Sequence, residues 1–254
     1  MGYQMNILLT NDDGVNAAGI GALYDVLSEN HAVFIIAPDE ERSACSNAIT
    51  VRRNLRINTV SGNKYSVDGL PADCVNIGLN GGLLPEIDLV ISGINHGPNL
   101  GDDVHFSGTV GGARTALIFG VTGIAVSLDC LGTSDYFIDT ALFVREFIKD
   151  YKRIERISHI CLNINYPDLP KSQVNGFKYT TLGKREYRDS YRMLSRNSET
   201  MQLQLNGTIH SVGREGSDVH ELRNGYISIT PLQLDCTDYT YLSRLPKAEE
   251  SWLK

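Results

Sequence analysis

The sequence lacks three features, each of which would define a class of protein. Its five cysteines are an odd number without CxxC spacing, which argues against a disulfide framework or a zinc knuckle and favours reduced thiols in a cytoplasmic protein. It has no basic excess, since its formal net charge is -7, so a nucleic-acid polymer is not an expected partner. No apolar run approaches the roughly 20 residues of a membrane span, so we expect no membrane association.

The chain does have a series of short, strongly apolar runs separated by helix-like patterns. The runs are MNILLT, AVFIIAP, DLVISGI, GIAVSL and HICLNIN, and they fall before about residue 165. Runs that are apolar on both faces are typical of buried parallel strands. Between the first two runs, Ile20, Leu23, Tyr24 and Leu27 form the apolar stripe of a helix. The alternation predicts an α/β fold with a doubly wound, mostly parallel sheet.

The composition changes after about residue 170, where the chain becomes charged and rich in tyrosine and serine. We therefore divide it into a core, residues 1–170, and a C-terminal region of extended arms or hairpins with a closing strand, residues 171–254. An arm of this kind buries little surface alone, so we expect it to pack against a second subunit.

Polar side chains follow three of the predicted strands, at the edge where parallel strands bring their carboxyl ends together. Asp12 and Asp13 follow the first strand, Ser43 lies in the loop after the second, and Asn95 ends the third. Adjacent carboxylates repel each other, and a hard divalent cation would neutralise them. Carboxylate, hydroxyl and amide oxygens suit Mg²⁺ or Mn²⁺. In isolation, however, NDDG is more often a polar turn.

The segment HFSGTVGGARTALIFG adds a second half to this candidate site. Ser107, Gly108 and Thr109 precede the apolar positions of a predicted helix, where hydroxyls and backbone N–H groups can cradle an anion. Phosphate is the commonest occupant of such a cradle, although SGT before a helix is often only an N-cap. A cation and a phosphate seat at one edge indicate phosphoryl hydrolysis.

Five segments resemble, in order and spacing, the SurE family of stationary-phase survival nucleotidases. They are MNILLTNDDGVNAAGI, VFIIAPDEERSACSNAIT, VDGLPADCVNIGL, DLVISGINHGPNLGDDVHFSGTVGGARTA and NGYISITPLQLD. The resemblance implies a cytoplasmic, metal-dependent phosphatase that hydrolyses nucleoside 5′-monophosphates to nucleoside and inorganic phosphate, with 3′-nucleotides and short polyphosphate as further substrates. It also implies a Rossmann-like core and a homodimer or homotetramer formed through the C-terminal arm.

The resemblance also implies roles for individual residues. It gives one divalent cation per subunit, Mg²⁺ or Mn²⁺, and these ligands for it: Asp12, Asp13, Ser43 and Asn95. It gives these substrate contacts: Asn99, Ser107, Gly108 and Thr109. Asp12 and Asp13 are also the candidate catalytic residues. One of them is the expected base for an attacking water, and covalent attack by an aspartate is the alternative.

The chain departs from the usual family pattern in two places. Gly111 and Gly112 stand where relatives commonly have alanine, which should loosen the helix start by about 0.5–1 kcal/mol per glycine. Tyr239 stands near the arm acid Asp235 where relatives often carry a histidine, which puts any function of that histidine in doubt here.

The residues are also compatible with two other functions. A haloacid-dehalogenase-type phosphatase, which forms an aspartyl phosphate, also has acids after its first strand, but it requires a DxD spacing that NDDGV lacks. A non-catalytic nucleotide-binding regulator could use the same anion cradle, although paired acids contribute little to a pure anion binder. In the arm, Tyr187, Tyr191 and Arg192 could stack on a base, but packing at a subunit interface is the favoured interpretation.

Overall fold

A computed structural model describes residues 4–130, 132–149 and 159–245. The strands within these ranges are β1 (Asn6–Thr10), β2 (Ala32–Pro38), β3 (Ile57–Ser61), β4 (Lys64–Val67), β5 (Leu89–His96), β6 (Thr122–Asp129), β7 (Cys161–Pro167), β8 (Phe177–Tyr179), β9 (Lys184–Arg196), β10 (Met201–Val212) and β11 (Ile227–Leu232). The helices are α1 (Ala18–Leu27), α2 (Pro71–Asn80), α3 (Gly108–Ile118), α4 (Phe137–Ile148), α5 (Asp218–Arg223) and α6 (Tyr239–Leu242), with 3-10 helices at Gly101–His105 and Lys171–Gln173. In this part of the chain, no helix is long and apolar enough to cross a membrane.

One sheet of nine strands forms the centre of the described structure, in the order β3-β4-β2-β1-β5-β6-β7-β11-β8. Strand β1 is parallel to both β2 and β5, and β4, β6 and β7 continue in the same direction. Strand β3 opposes β4, and β11 opposes β7. The chain winds outward from β1 on both sides, so a switch point lies between β1 and β5. The predicted α/β fold is confirmed, and all five apolar runs are strands of this sheet.

The core lies on both faces of the sheet because successive residues of β1 point to opposite sides. Ile7 and Leu9 pack with the α1 and α4 side chains in one cluster, which contains Leu23 from the predicted helical stripe. Leu8 points the other way and packs with Val75 of α2. Burial on both faces explains why these strand segments are apolar throughout rather than alternating.

The chain after residue 170 contributes both to this sheet and to a separate hairpin. The predicted closing strand is β11, which pairs with β7 and also with β8. Within the described residues, strands β9 and β10 form a two-stranded sheet of their own, the arm hairpin. Its first strand is held beside the 3-10 helix Gly101–His105: the backbone N–H of Arg185 donates to Asp102 Oδ2 at 2.9 Å, and Arg185 Nε lies 2.9 Å from Asp103 Oδ2.

The Asp218 carboxylate is expected to be a major source of stability where the hairpin meets the core. It is fully buried and accepts backbone N–H bonds from Gly101 at 2.8 Å, Gly183 at 2.6 Å and Val219 at 2.7 Å. Asp218→Ala leaves these buried donors unpaired, so urea denaturation should show an unfolding free energy lower by about 3 kcal/mol. Asp218→Asn keeps one acceptor oxygen and should lose less. Native stability in Asp218→Ala would contradict this role.

Candidate functional site

The predicted site residues lie together around the carboxyl ends of β1 and β5 and the start of α3. A cleft of about 680 Å³ opens there, a size suited to a small-molecule ligand. Its lining includes these predicted residues: Asp12, Ser43, Asn95, Asn99 and Ser107. Asp13 stands beside the cleft, where its Oδ2 lies 3.5 Å from Nδ1 of His96, a lining residue.

The two acids are held in surroundings that disfavour their charged forms. Asp12 is buried, and burial raises its pKa to about 6, with the charge of Asp13 acting in the same direction. Burial also raises the pKa of Asp13, while the neighbouring His96 acts to lower it. A cation between such carboxylates would favour their charged forms, so the electrostatics of the pair suit a metal ion.

The Thr109 hydroxyl connects Asp12 to Asn95. The Thr109 side chain is fully buried, and its hydroxyl donates to Asp12 Oδ1 and lies 3.2 Å from Asn95 Oδ1. The Asn95 amide nitrogen donates to the Gly97 carbonyl at 2.8 Å, so the amide oxygen is the atom that faces Thr109. One hydroxyl hydrogen shared between two acceptors leaves both of them with bonding capacity to spare. The carboxylate and amide oxygens gathered here therefore fit a hard divalent cation as their further partner.

The start of α3 carries the expected anion cradle. Ser107 is the N-cap: its Oγ accepts from the Val110 backbone N–H at 3.0 Å, and the residue lines the cleft. A Cβ on Gly108 would lie 2.9 Å from Asp12 Oδ2 and 2.6 Å from Cys45 Sγ. Glycine therefore lets the helix N-terminus approach the Asp12 carboxylate closely. Thr109, the third residue of the predicted cradle, has its hydroxyl on Asp12.

Ser43 is brought to the site by the loop that follows β2. The backbone N–H of Arg42 donates to the Asp12 carbonyl at 2.7 Å, which fixes this loop against the end of β1. The Ser43 hydroxyl donates to Glu41 Oε1 at 2.7 Å, so its oxygen lone pairs remain available in the cleft. The Arg42 guanidinium pairs with Asp39 at 3.3 Å and with Glu40 at 2.9 Å. Its charge is therefore balanced by acids of the same loop.

Asn99 is fixed by a buried polar network that the sequence reasoning missed. Its backbone N–H donates to Asn165 Oδ1 at 2.7 Å, and its side-chain amide donates to Ser127 Oγ at 2.9 Å. Asn163 donates to the Asn99 carbonyl at 2.7 Å. The signal was present in the run HICLNIN, where two asparagines at alternate positions of a buried strand require polar partners.

Comparison with known proteins places the chain in a family. The model of the family "Survival protein SurE" matches residues 7–189. The 5′-nucleotidase SurE of Leptospira interrogans is 43% identical over 243 residues, with 95% of this chain and 96% of the relative covered. The 5′-nucleotidase SurE of Vibrio cholerae is 40% identical over 254 residues, with 99% and 94% covered. This chain belongs to the SurE family.

A solved structure of the SurE family also has the same fold. The crystal structure of the SurE protein from Aquifex aeolicus matches with a TM-score of 0.81 at 33% sequence identity, and the match covers 94% of this chain and 98% of that one. The predicted SurE family and fold are therefore both confirmed.

Tyr239 has a hydrogen-bond partner in the C-terminal region. The Tyr239 hydroxyl donates to the Asp235 carboxylate, and the Thr237 backbone N–H donates to the same carboxylate at 2.8 Å. Hydrogen bonds from Thr237 and Tyr239 lower the pKa of Asp235 to about 2. Tyr239 is therefore a hydrogen-bond donor to this acid.

Substitution of Gly111 tests how tightly α3 packs against the loop that carries Ser43. A Cβ at this position would lie 2.1 Å from the Ser46 carbonyl oxygen. Gly111→Ala should therefore lower the unfolding free energy by about 1–3 kcal/mol, despite the gain in helix propensity. Gly21→Ala is the matched control: it is also the fourth residue of its helix, and its Cβ would have no atom within 4 Å. This control should gain about 0.5–1 kcal/mol. A gain in both variants would contradict the close packing.

Proposed function

We propose that this chain is a metal-dependent phosphatase that hydrolyses nucleoside 5′-monophosphates to nucleoside and inorganic phosphate. The observation that carries the proposal is the meeting of Asp12, the adjacent Asp13 and a helix N-terminus at one cleft, which lies at the switch point of a parallel sheet. The names of the Leptospira and Vibrio relatives support the same reaction. Because 3′-nucleotides and short polyphosphate also end in a phosphate group, we extend the proposal to them.

One cation, Mg²⁺ or Mn²⁺, would be held by side-chain oxygens of the proposed ligands: Asp12, Asp13, Ser43 and Asn95. The described residues contain no group of three or more His, Cys, Asp or Glu side chains placed to hold a metal, so the hydroxyl and amide oxygens are essential members of this set. When bound, the cation supplies positive charge that polarises the phosphoryl group. The chain is acidic overall, with a net charge of -7, so an anionic substrate needs such a local positive centre.

Phosphate binding, orientation of the acids and proton transfer are carried out by groups of the protein chain. Backbone N–H groups at the start of α3 and the Ser107 hydroxyl bind the phosphate oxygens, with the positive end of the helix dipole behind them. Thr109 keeps Asp12 oriented through its hydrogen bond, and His96 contacts Asp13. One of the two aspartates accepts a proton from the attacking water, and the nucleoside oxygen leaves in line with that attack.

We also propose a cytoplasmic homodimer or homotetramer assembled through the arm. The outer half of the arm hairpin exposes apolar side chains: Met193, Leu194, Met201 and Leu203. Exposed apolar surface on an extended hairpin is typical of a subunit interface. The cysteines within the described residues are all free, as a reducing compartment favours.

Phosphate release from nucleoside monophosphates tests the reaction directly. With Mg²⁺ or Mn²⁺ the native protein should release phosphate, and a chelator should abolish the release. Asp12→Asn should lower the rate at least about 100-fold, since even supporting groups around a metal are worth 10- to 100-fold. Asp135→Asn removes the same charge from an exposed position and should match native. Turnover that ignores the chelator or survives Asp12→Asn would contradict the proposal, whereas nucleotide binding without turnover would favour the regulator.

A further inference from the structure

The cleft continues from the paired acids to the arm hairpin, and its far end has an aromatic wall. Phe106 and Tyr187 both line it and form a T-shaped pair with ring centroids 5.8 Å apart. The Tyr187 hydroxyl donates to Asp103, which fixes the ring against the core. A fixed aromatic wall of this kind is a stacking surface for a planar ring.

The hairpin adds a notch to this wall. In the register of β9 and β10, Tyr187 lies opposite Ile209, and Asp189 lies opposite Gly207. Residue 207 has φ of +150°, and a Cβ there would lie 2.6 Å from the Arg188 carbonyl oxygen, so glycine is required. Its missing side chain leaves a gap between Leu205 and Ile209, at the position paired with Asp189.

Asp189 is available to a ligand in this notch. Its side chain is exposed and lines the cleft. Gly207 and Ile209 on the facing strand also line the cleft. Among the described residues, no hydrogen bond or ion pair engages the Asp189 side chain, unlike the nearby Asp103, which is bonded to Tyr187 and Arg185. A carboxylate of this kind presents two acceptor oxygens and no donor, so it selects for a ligand edge that carries donors.

We propose that Asp189 is a specificity-determining residue that selects guanine, with the base against Phe106 and Tyr187 and the phosphate at α3. This rests on the proposed function, because it assigns the base of the same substrate. Guanine presents two adjacent donors, N1–H and the 2-amino group, which match both oxygens of one carboxylate. Adenine and cytosine place an amino donor beside a ring-nitrogen acceptor, and uracil has one N–H between two carbonyls. Hypoxanthine keeps N1–H and lacks the amino group.

Comparison of three purine nucleotides tests this assignment. With Mn²⁺ present, kcat/KM of the native protein should fall in the order GMP, IMP, AMP, with GMP about tenfold above AMP. Asp189→Asn replaces one acceptor oxygen by a donor, so its GMP to AMP ratio should fall to near one. Glu199→Gln is the matched control, because it removes the same charge from the exposed turn between β9 and β10. Its GMP to AMP ratio should equal the native ratio.

The outcomes separate this inference from the phosphatase proposal. Turnover of all three nucleotides with the same GMP to AMP ratio in native protein and Asp189→Asn would overturn the guanine site and leave the phosphatase intact. Release of phosphate from none of them would overturn the phosphatase, and calorimetric titration with GMP and AMP would then decide the base site. Tighter GMP binding that is lost in Asp189→Asn supports the site, and equal affinities overturn it.

Discussion

The hydrogen bond from Thr109 to Asp12 is the interaction on which the site depends. It ties the end of β1 to the start of α3, and the same hydroxyl lies 3.2 Å from the Asn95 amide oxygen. Asp12 in turn holds the Ser43 loop through its own carbonyl. One buried threonine and one buried acid thus gather the proposed ligands from three loops. The cost is a carboxylate whose pKa is raised to about 6, and a bound cation would offset that cost.

Much of the fold could be predicted because its signals are local. The five apolar runs are strands of the sheet, and Ser107 is the N-cap of α3. Strands buried on both faces and helix N-caps both leave a recognisable pattern in a few consecutive residues. The gathering of the site followed from one general rule, that parallel strands share the edge at their carboxyl ends. The proposed metal ligands and substrate contacts lie at that edge or at the start of α3.

Features that depend on contacts distant in sequence could not be predicted. A threonine in the first turn of a helix can face solvent or core, and only the packing of α3 against β5 and β6 buries Thr109. Gly111 predicts a loosened helix start from its sequence alone, because the Ser46 carbonyl that occupies the space of its Cβ belongs to a distant loop. The contact between Tyr187 and Asp103 spans 84 residues, so the position of the arm hairpin beside the cleft had no local signal.

Under the two proposals, the core forms the phosphate end of the cleft, and the hairpin together with Phe106 forms the base end. A cation at the phosphate end can be located by diffraction at the manganese absorption edge from crystals grown with Mn²⁺. We expect one anomalous peak per chain at this end, bonded by oxygens of the proposed ligands: Asp12, Asp13, Ser43 and Asn95. No peak at saturating Mn²⁺, or a peak bonded by other residues, would rule out the proposed metal site.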